Sequence, residues 1–152
     1  MCFDLGRQQQ RLDTLEARVR CSRAITPELL AQVIVGVCTR LDAHGNTAKR
    51  IVNQLAANGA CTDAALLLLQ LELPQWTLRR IIYEDGEWHC LLSKQPQIPL
   101  GLDESTEAAH ELLPLAILIA FIKARSTAAS VAASVPRISP SPRGVVCCDN
   151  FG

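Results

Sequence analysis

The chain has 152 residues, of which 49% are hydrophobic and 20% charged, and this composition is typical of one globular domain. Fifteen Lys and Arg residues balance fifteen Asp and Glu residues, so the formal net charge is zero. A chain without net charge has no overall field that would attract nucleic acid or an anionic membrane surface, and we expect neither as a partner.

The cysteines and the apolar runs indicate a cytoplasmic compartment. The seven Cys residues are an odd number, and the first ten residues contain no apolar signal-peptide core. This pattern predicts reduced thiols rather than a secreted, disulfide-bonded protein. The longest apolar run, residues 112–122, contains Pro114 and is short, whereas a membrane-spanning helix needs about twenty apolar residues. We therefore expect this run in a core.

Residues 1–25 are predicted to form an N-terminal extension with one amphipathic helix. Its otherwise polar sequence carries Leu12, Leu15 and Val19 at helical spacing. A stripe this narrow indicates a helix that docks only weakly onto the rest of the protein.

A helical domain with a β-hairpin, residues 26–125, is predicted to follow, and it opens with clear helix signals. Thr26 fits an N-cap, Pro27 suits the first turn, and Gly45 fits a C-cap. These signals predict a helix that runs from Thr26 to Gly45.

Two shorter helices are predicted next. The first begins at Asn46 or Thr47 and ends at Gly59. The second begins at Thr62 or the residue after it and ends before Pro74. Because the second is apolar on nearly every side, we expect it at the centre of the core.

From Trp76 onward the apolar pattern is typical of strands. Two runs rich in β-branched and aromatic residues, about 76–83 and 87–93, flank the dipeptide Asp85-Gly86. Asp-Gly is the favoured dipeptide of a two-residue type I′ turn, so we predict an antiparallel β-hairpin.

The two-residue turn also fixes which residues face each other across the hairpin. Neighbouring residues of a strand point to opposite faces, so His89 and Cys90 cannot ligate one metal ion. The predicted partners are Tyr83 with Trp88, Ile82 with His89, Ile81 with Cys90 and Arg80 with Leu91.

The adjacent Arg79 and Arg80 should also point to opposite faces of the hairpin. One of them should reach solvent or an anion. The other should lay its stem along Trp88 or Tyr83, or pair with a carboxylate, for which the candidates are Glu84, Glu87 and Asp103.

A last helix is predicted from about Glu104 to Arg125. Asp103 or Ser105 would cap it, and Pro114 should kink it or divide it in two. The predicted fold is therefore α+β and mostly helical, with four to five helices packed around one antiparallel hairpin and a flexible C-terminal tail.

Residues 126–144 are rich in Ala, Ser and Pro, and we predict a flexible linker. The last eight residues, 145–152, regain apolar side chains, which predicts a segment that docks onto the domain, a partner subunit or another protein. One possible target is the hairpin edge, by strand addition. The expected docking residues are Val145, Val146, Cys147, Cys148 and Phe151.

No motif for catalysis, metal binding or cofactor binding is complete. Glu107 and His110 would share a face of the last helix, as in half of a di-iron site, but a second such pair is missing. The chain has no C-x-x-C, no G-x-S-x-G and no Gly-rich phosphate loop. We therefore expect no catalytic residue, no metal ligand set and no cofactor.

The stretch "ELPQWTLRRIIYEDGEWHC", taken with the far C-terminal "CCDNF", resembles an uncharacterised family of small proteins from rhizobia and related alphaproteobacteria. The likeness covers residues 26–125 and 147–151, and the linker lies outside it. The resemblance implies an intracellular bacterial protein. It transfers no activity, ligand or site residue, because none is known for that family.

The leading functional hypothesis is a small cytoplasmic protein-interaction or adaptor module, whose partner is another protein or a second copy of the chain. Aromatic residues make up only 4% of the sequence, and several of them cluster at the hairpin. We therefore expect the contact surface there, where it would consist of Trp76, Arg79, Arg80, Tyr83, Trp88 and His89.

Two alternatives stay open at this point. Three helices followed by a hairpin is also the order of a winged-helix DNA-binding regulator, although the acidic turn and a recognition helix with only Gln70 to read bases argue against it. The second alternative is a metal or redox protein that uses Cys and His side chains.

Overall fold

The computed structural model describes residues 2–134. These residues form five helices and one three-stranded antiparallel sheet. The sheet has the order β1-β2-β3. The predicted α+β, mostly helical fold is confirmed, with one strand more than the hairpin. The elements are α1 (Cys2–Cys21), α2 (Pro27–Val37), α3 (Gly45–Ala57), α4 (Cys61–Glu72), β1 (Thr77–Glu84), β2 (Glu87–Ser93), β3 (Ser105–His110) and α5 (Leu113–Ser134).

Helix α5, rather than α4, lies at the centre of the core. Every residue from Leu115 to Ile122 is fully buried, so this stretch is enclosed on all sides by α1, α4, β2 and β3. The apolar run is thus a core element, as predicted. Pro114 is the second residue of α5, where a missing backbone N–H costs no hydrogen bond, so it starts the helix and does not kink it.

The predicted helix from Glu104 is wrong over its first part, because Ser105–His110 forms the strand β3. Ala and Glu favour helices, but pairing with β2 overrides that preference. Ala108 lies opposite Cys90 and is buried. Its small side chain fits the limited space between the sheet and α5. Glu107 and His110 consequently lie on a strand, three residues apart, and point to opposite faces of the sheet.

Helix α2 begins as predicted and ends eight residues before Gly45. The Thr26 hydroxyl accepts a hydrogen bond from the Leu29 N–H (3.2 Å), as an N-cap does. The chain leaves the helix after Val37 because the buried Glu72 carboxylate accepts hydrogen bonds from the next turn. Its donors are the backbone N–H groups of Thr39 (3.0 Å) and Leu41.

The N-terminal helix α1 is part of the core. Leu12 and Val19 are fully buried, and α1 packs against α5 and α2. The Gln9 side-chain amide donates to the Ser126 hydroxyl (2.6 Å), which ties α1 to the C-terminal half of α5. Helix α5 itself continues to Ser134, so the first nine residues of the predicted linker are helical.

The hairpin of β1 and β2 has the predicted register. Tyr83 faces Trp88, and Glu84 faces Glu87 across the turn. Both turn residues have positive φ, 53° at Asp85 and 85° at Gly86, as a type I′ turn requires. The register shifts between Leu78 and Arg80, so Arg79 is the extra residue of a β-bulge.

Candidate interaction surface

Strand β1 is an edge strand that packs chiefly against β2, whereas α5 covers β2 and β3. Every β1 residue from Arg80 to Glu84 is exposed, in contrast to β2, where Cys90–Ser93 are all buried. The outer half of β1 therefore extends beyond the helices that cover the rest of the sheet.

The outer edge of β1 has backbone groups that β2 does not use. In a hairpin with a two-residue turn, the residues flanking the turn form a hydrogen-bonded pair, and such pairs alternate along the ladder. Glu84, Ile82 and Arg80 therefore bond to β2. The N–H and C=O groups of Ile81 and Tyr83 point away from β2, toward the free edge.

Both faces of this edge carry apolar side chains. Ile81 and Ile82 are each 37% exposed, and Tyr83 is 58% exposed. Ile81 and Tyr83 share the sheet face of the buried Cys90, and the Tyr83 ring lies 5.0 Å from that of Trp88. The apolar face that α5 covers thus continues onto β1, where no helix of the described residues covers it.

Two opposite charges flank the apolar residues. Arg80 precedes them and Glu84 follows them, and both lie on the same face as Ile82. Neither forms an ion pair with any other residue in the described part of the chain. We define the β1 edge surface by five residues: Arg80, Ile81, Ile82, Tyr83 and Glu84.

The bulge residue Arg79 holds the inner end of β1. Its guanidinium lies 3.3 Å from Asp103, as the predicted pairing with a carboxylate allowed. Asp103 also accepts hydrogen bonds from the Ser93 hydroxyl and from the Gln95 N–H (2.9 Å). Burial alone would raise the pKa of Asp103, but these hydrogen bonds and the Arg79 charge outweigh it and hold the pKa below its ordinary value.

Trp76 lies apart from the other aromatic residues of the predicted patch. Only 4% of it is exposed, and it belongs to the core cluster. Lys94 lies over its ring, with Nζ 5.2 Å from the centroid, and forms an ion pair with Glu104 (2.6 Å). Trp76 thus anchors the start of β1 and contributes almost no surface for a partner.

His89 and Cys90 point to opposite faces of the sheet, as predicted. His89 is partly exposed, with Nδ1 3.7 Å from a Glu107 carboxylate oxygen. Cys90 is fully buried, and this burial raises the pKa of its thiol to about 11. A thiol with so high a pKa is almost wholly protonated near neutral pH, which makes it a poor nucleophile or metal ligand.

Glu72 and His110 are buried polar side chains whose structural roles were not predicted from the sequence, and both stabilise the fold. Glu72 caps the turn after α2, and the nearby Cys38 thiol has its pKa raised by burial and by the Glu72 charge. His110 accepts the Leu112 N–H at Nδ1 (3.0 Å), so its Nε2–H donates to the Arg20 carbonyl (3.2 Å). It thereby joins the end of α1 to the start of α5.

A groove lies between α1 and α2, apart from the β1 edge surface. This groove has a volume of about 800 Å³, with Leu15, Val35 and Gly36 on its apolar floor and Arg7, Arg11 and Arg18 in its wall. Its lining residues lie between Arg7 and Gly36, so the groove contains none of the residues of the predicted patch.

The β1 edge surface includes three residues that were not predicted from the sequence, Ile81, Ile82 and Glu84. An apolar pair on successive strand residues usually indicates a strand buried on both faces. Their exposure is evident only from the folded structure, in which α5 packs on β2 and β3 but not on β1. The docking residues predicted in the tail, residues 145–152, lie outside the described part of the chain.

No protein-family model, curated protein or solved structure matches this chain. The resemblance to the rhizobial family stays a prediction. Among residues 2–134, no helix has the length and apolar character needed to span a bilayer. Within the same residues, no three His, Cys, Asp or Glu side chains gather as a metal site would require.

Proposed function

We propose that the protein is an interaction module that binds another polypeptide chain at the β1 edge surface, by addition of a strand to the sheet. The observation that carries this proposal is the exposed outer half of β1, where unused backbone groups coincide with apolar side chains on both faces. Backbone hydrogen bonds would supply affinity, and the side chains beside them would supply specificity.

The composition of this edge supports a binding role. Edge strands that do not bind are commonly protected by charges, prolines, bulges or shortness. Here the bulge lies at Arg79, at the inner end, and beyond it the charged residues of β1 are Arg80 and Glu84. The three residues between them carry no such protection.

The proposal places the protein in the cytoplasm, and the state of the thiols supports this. Cys21, Cys38, Cys61 and Cys90 are free in the described part of the chain. Free thiols are ordinary in a reducing compartment.

DNA binding, the alternative considered from the sequence, gains no support from the surface of α4. Its exposed side chains are Asp63 and Gln70, so it offers no positive charge to a phosphate backbone. The hairpin turn is acidic as well, with Glu84, Asp85 and Glu87 all exposed.

The test is site-specific photo-crosslinking in living cells. A photoreactive amino acid is introduced at Tyr83 of the full chain and, as a matched control, at Asn53, which is exposed on α3. We expect protein adducts from position 83 in clear excess over those from position 53. Equal yields at the two positions, or no protein adduct at 83, would overturn the proposed function.

A further inference from the structure

We propose that the chain seated on the β1 edge surface is a second copy of this protein, whose β1 pairs antiparallel with the first across a two-fold axis at Ile82. The result is a continuous six-stranded sheet in the order β3-β2-β1-β1-β2-β3. This inference rests on the proposed function, because it names the partner of the same surface. Six strands is an ordinary sheet size, and the two-fold axis makes the contact self-complementary.

The backbone restricts where the two-fold axis can lie. In the regular part of β1 beyond the bulge, Ile81 and Tyr83 are the residues that present N–H and C=O groups to the free edge. In an antiparallel pair, such groups must face each other, so the axis can pass only through Ile81, Ile82 or Tyr83. Inward of these residues, the bulge at Arg79 interrupts regular pairing.

The side chains select among these three positions. An axis through Ile81 places Arg80 opposite Ile82 of the second copy. An axis through Tyr83 places Glu84 opposite that same Ile82. Both alternatives oppose a charge to an apolar side chain.

An axis through Ile82 instead matches every residue of the surface with a suitable partner. Arg80 faces Glu84 of the second copy, and by symmetry this ion pair forms twice. Ile82 faces its own copy on the same side of the sheet. Opposite charges and apolar pairs are the cross-strand combinations that stabilise antiparallel sheets, whereas like charges destabilise them.

The other face of the sheet fits the same register. Ile81 faces Tyr83 of the second copy, next to the Tyr83 and Trp88 rings that already contact each other at 5.0 Å. These residues continue the face that α5 covers, and α5 packs on β2 and β3, away from β1. The helices of the two copies are therefore set back from the axis, with an apolar floor between them.

The test reverses the two charges and measures the dimer dissociation constant of the full chain by analytical ultracentrifugation. Wild-type protein is expected to form a concentration-dependent dimer. Arg80→Glu alone or Glu84→Arg alone creates two like-charged pairs, so each should weaken the dimer by at least about tenfold. Arg50→Glu, the same reversal at an exposed position on α3, should leave it unchanged.

Complementation makes the test specific for the register. In an equimolar mixture of the Arg80→Glu and Glu84→Arg proteins, both cross-copy pairs are again of opposite charge, so a mixed dimer should form with about the wild-type affinity. The double variant R80E/E84R should recover its own dimer for the same reason. Neither recovery is expected if a single variant merely fails to fold.

Two results would overturn the inference. One is a full chain that stays monomeric at every concentration, and the other is a dimer whose dissociation constant is unchanged by the charge reversals. The proposed function is tested separately, by the photo-crosslinks formed from position 83. Adducts of that position with a different protein would retain the interaction module and exclude the second copy, whereas no adduct would exclude both.

Discussion

Asp103 connects three parts of the sheet that are separate in sequence. It receives hydrogen bonds from Ser93 at the end of β2 and from Gln95 in the following turn, and its charge pairs with Arg79 in the bulge of β1. The bulge is thereby held at a fixed position. Because the regular outer half of β1 starts just beyond Arg79, this carboxylate helps to define how much of the edge is free for a partner.

Removal of the Asp103 charge should make stability less dependent on pH. The folded-state pKa lies below the ordinary value of 3.8, so the ionised carboxylate stabilises the fold at pH above that value. This stabilisation is lost as the pH falls through the folded-state pKa. Asp103→Asn should therefore lower the melting temperature at neutral pH, and the difference from wild type should shrink below about pH 4.

The measurement is thermal unfolding followed by circular dichroism across acidic and neutral pH. Asp85→Asn is the matched control, because Asp85 is exposed and Asn also accepts the positive φ of that position. Parallel melting profiles for Asp103→Asn and wild type at all pH values would contradict the assigned role of the carboxylate.

At the scale of single residues, contacts within the hairpin can be predicted from the sequence, whereas contacts between distant segments cannot. The clustering of Trp76, Tyr83 and Trp88 in sequence suggested one patch, yet Trp76 is buried and the other two contact each other. The partners of Glu72 are backbone N–H groups more than thirty residues away, at Thr39 and Leu41. No residue type marks such a partner in the sequence.

At the scale of elements, the sequence pattern correctly predicts the pairing of β1 but not the strand β3. The type I′ turn at Asp85-Gly86 is local chemistry, and it fixed the register of β1 on β2 without reference to the rest of the chain. The composition of β3 favours a helix. It forms a strand because it pairs with β2 and packs against α5. The pairing partner of β3 is therefore present only once β2 has folded, and no local sequence pattern of β3 reveals it.

The alternation of backbone groups along β1 predicts unequal effects of proline at two neighbouring positions. The Ile82 N–H bonds to β2, whereas the Ile81 N–H points to the free edge. Ile82→Pro should therefore reduce the free energy of unfolding by about 1 to 3 kcal/mol more than Ile81→Pro, because it also leaves a carbonyl of β2 without its donor. Chemical unfolding at low protein concentration measures this difference.

The same two variants separate folding from association. Ile81→Pro should leave the circular dichroism spectrum intact while weakening any contact made through the free edge, since its lost donor faces outward. If Ile81→Pro were instead the more destabilising variant, Ile81 rather than Ile82 would bond to β2, and the register proposed for the second copy would be impossible. Equal destabilisation by the two prolines would contradict the assigned alternation of backbone groups.

At the scale of the whole molecule, the core is built from the two ends of the described chain. Helix α5 is buried over Leu115–Ile122, and one side of its enclosure is α1, the segment that the sequence suggested as a weakly docked extension. The narrow stripe of α1 is a helix face, as its spacing predicts, but how strongly it packs depends on the apolar surface that it meets. Against the largely apolar surface of α5, Leu12 and Val19 are completely removed from water.

This arrangement predicts that α1 is indispensable for stability. Leu12→Ala should reduce the free energy of unfolding by about 2 to 5 kcal/mol, because Leu12 is fully buried against the core and its removal leaves a cavity. Leu5→Ala is the matched control, since Leu5 lies on the same helix and is 46% exposed, and we expect a change within about 0.5 kcal/mol. Urea unfolding of the full chain, followed by circular dichroism, measures both. If α1 were only an extension, the two variants would unfold at the same urea concentration. A large difference between them would establish that α1 is an integral part of the domain.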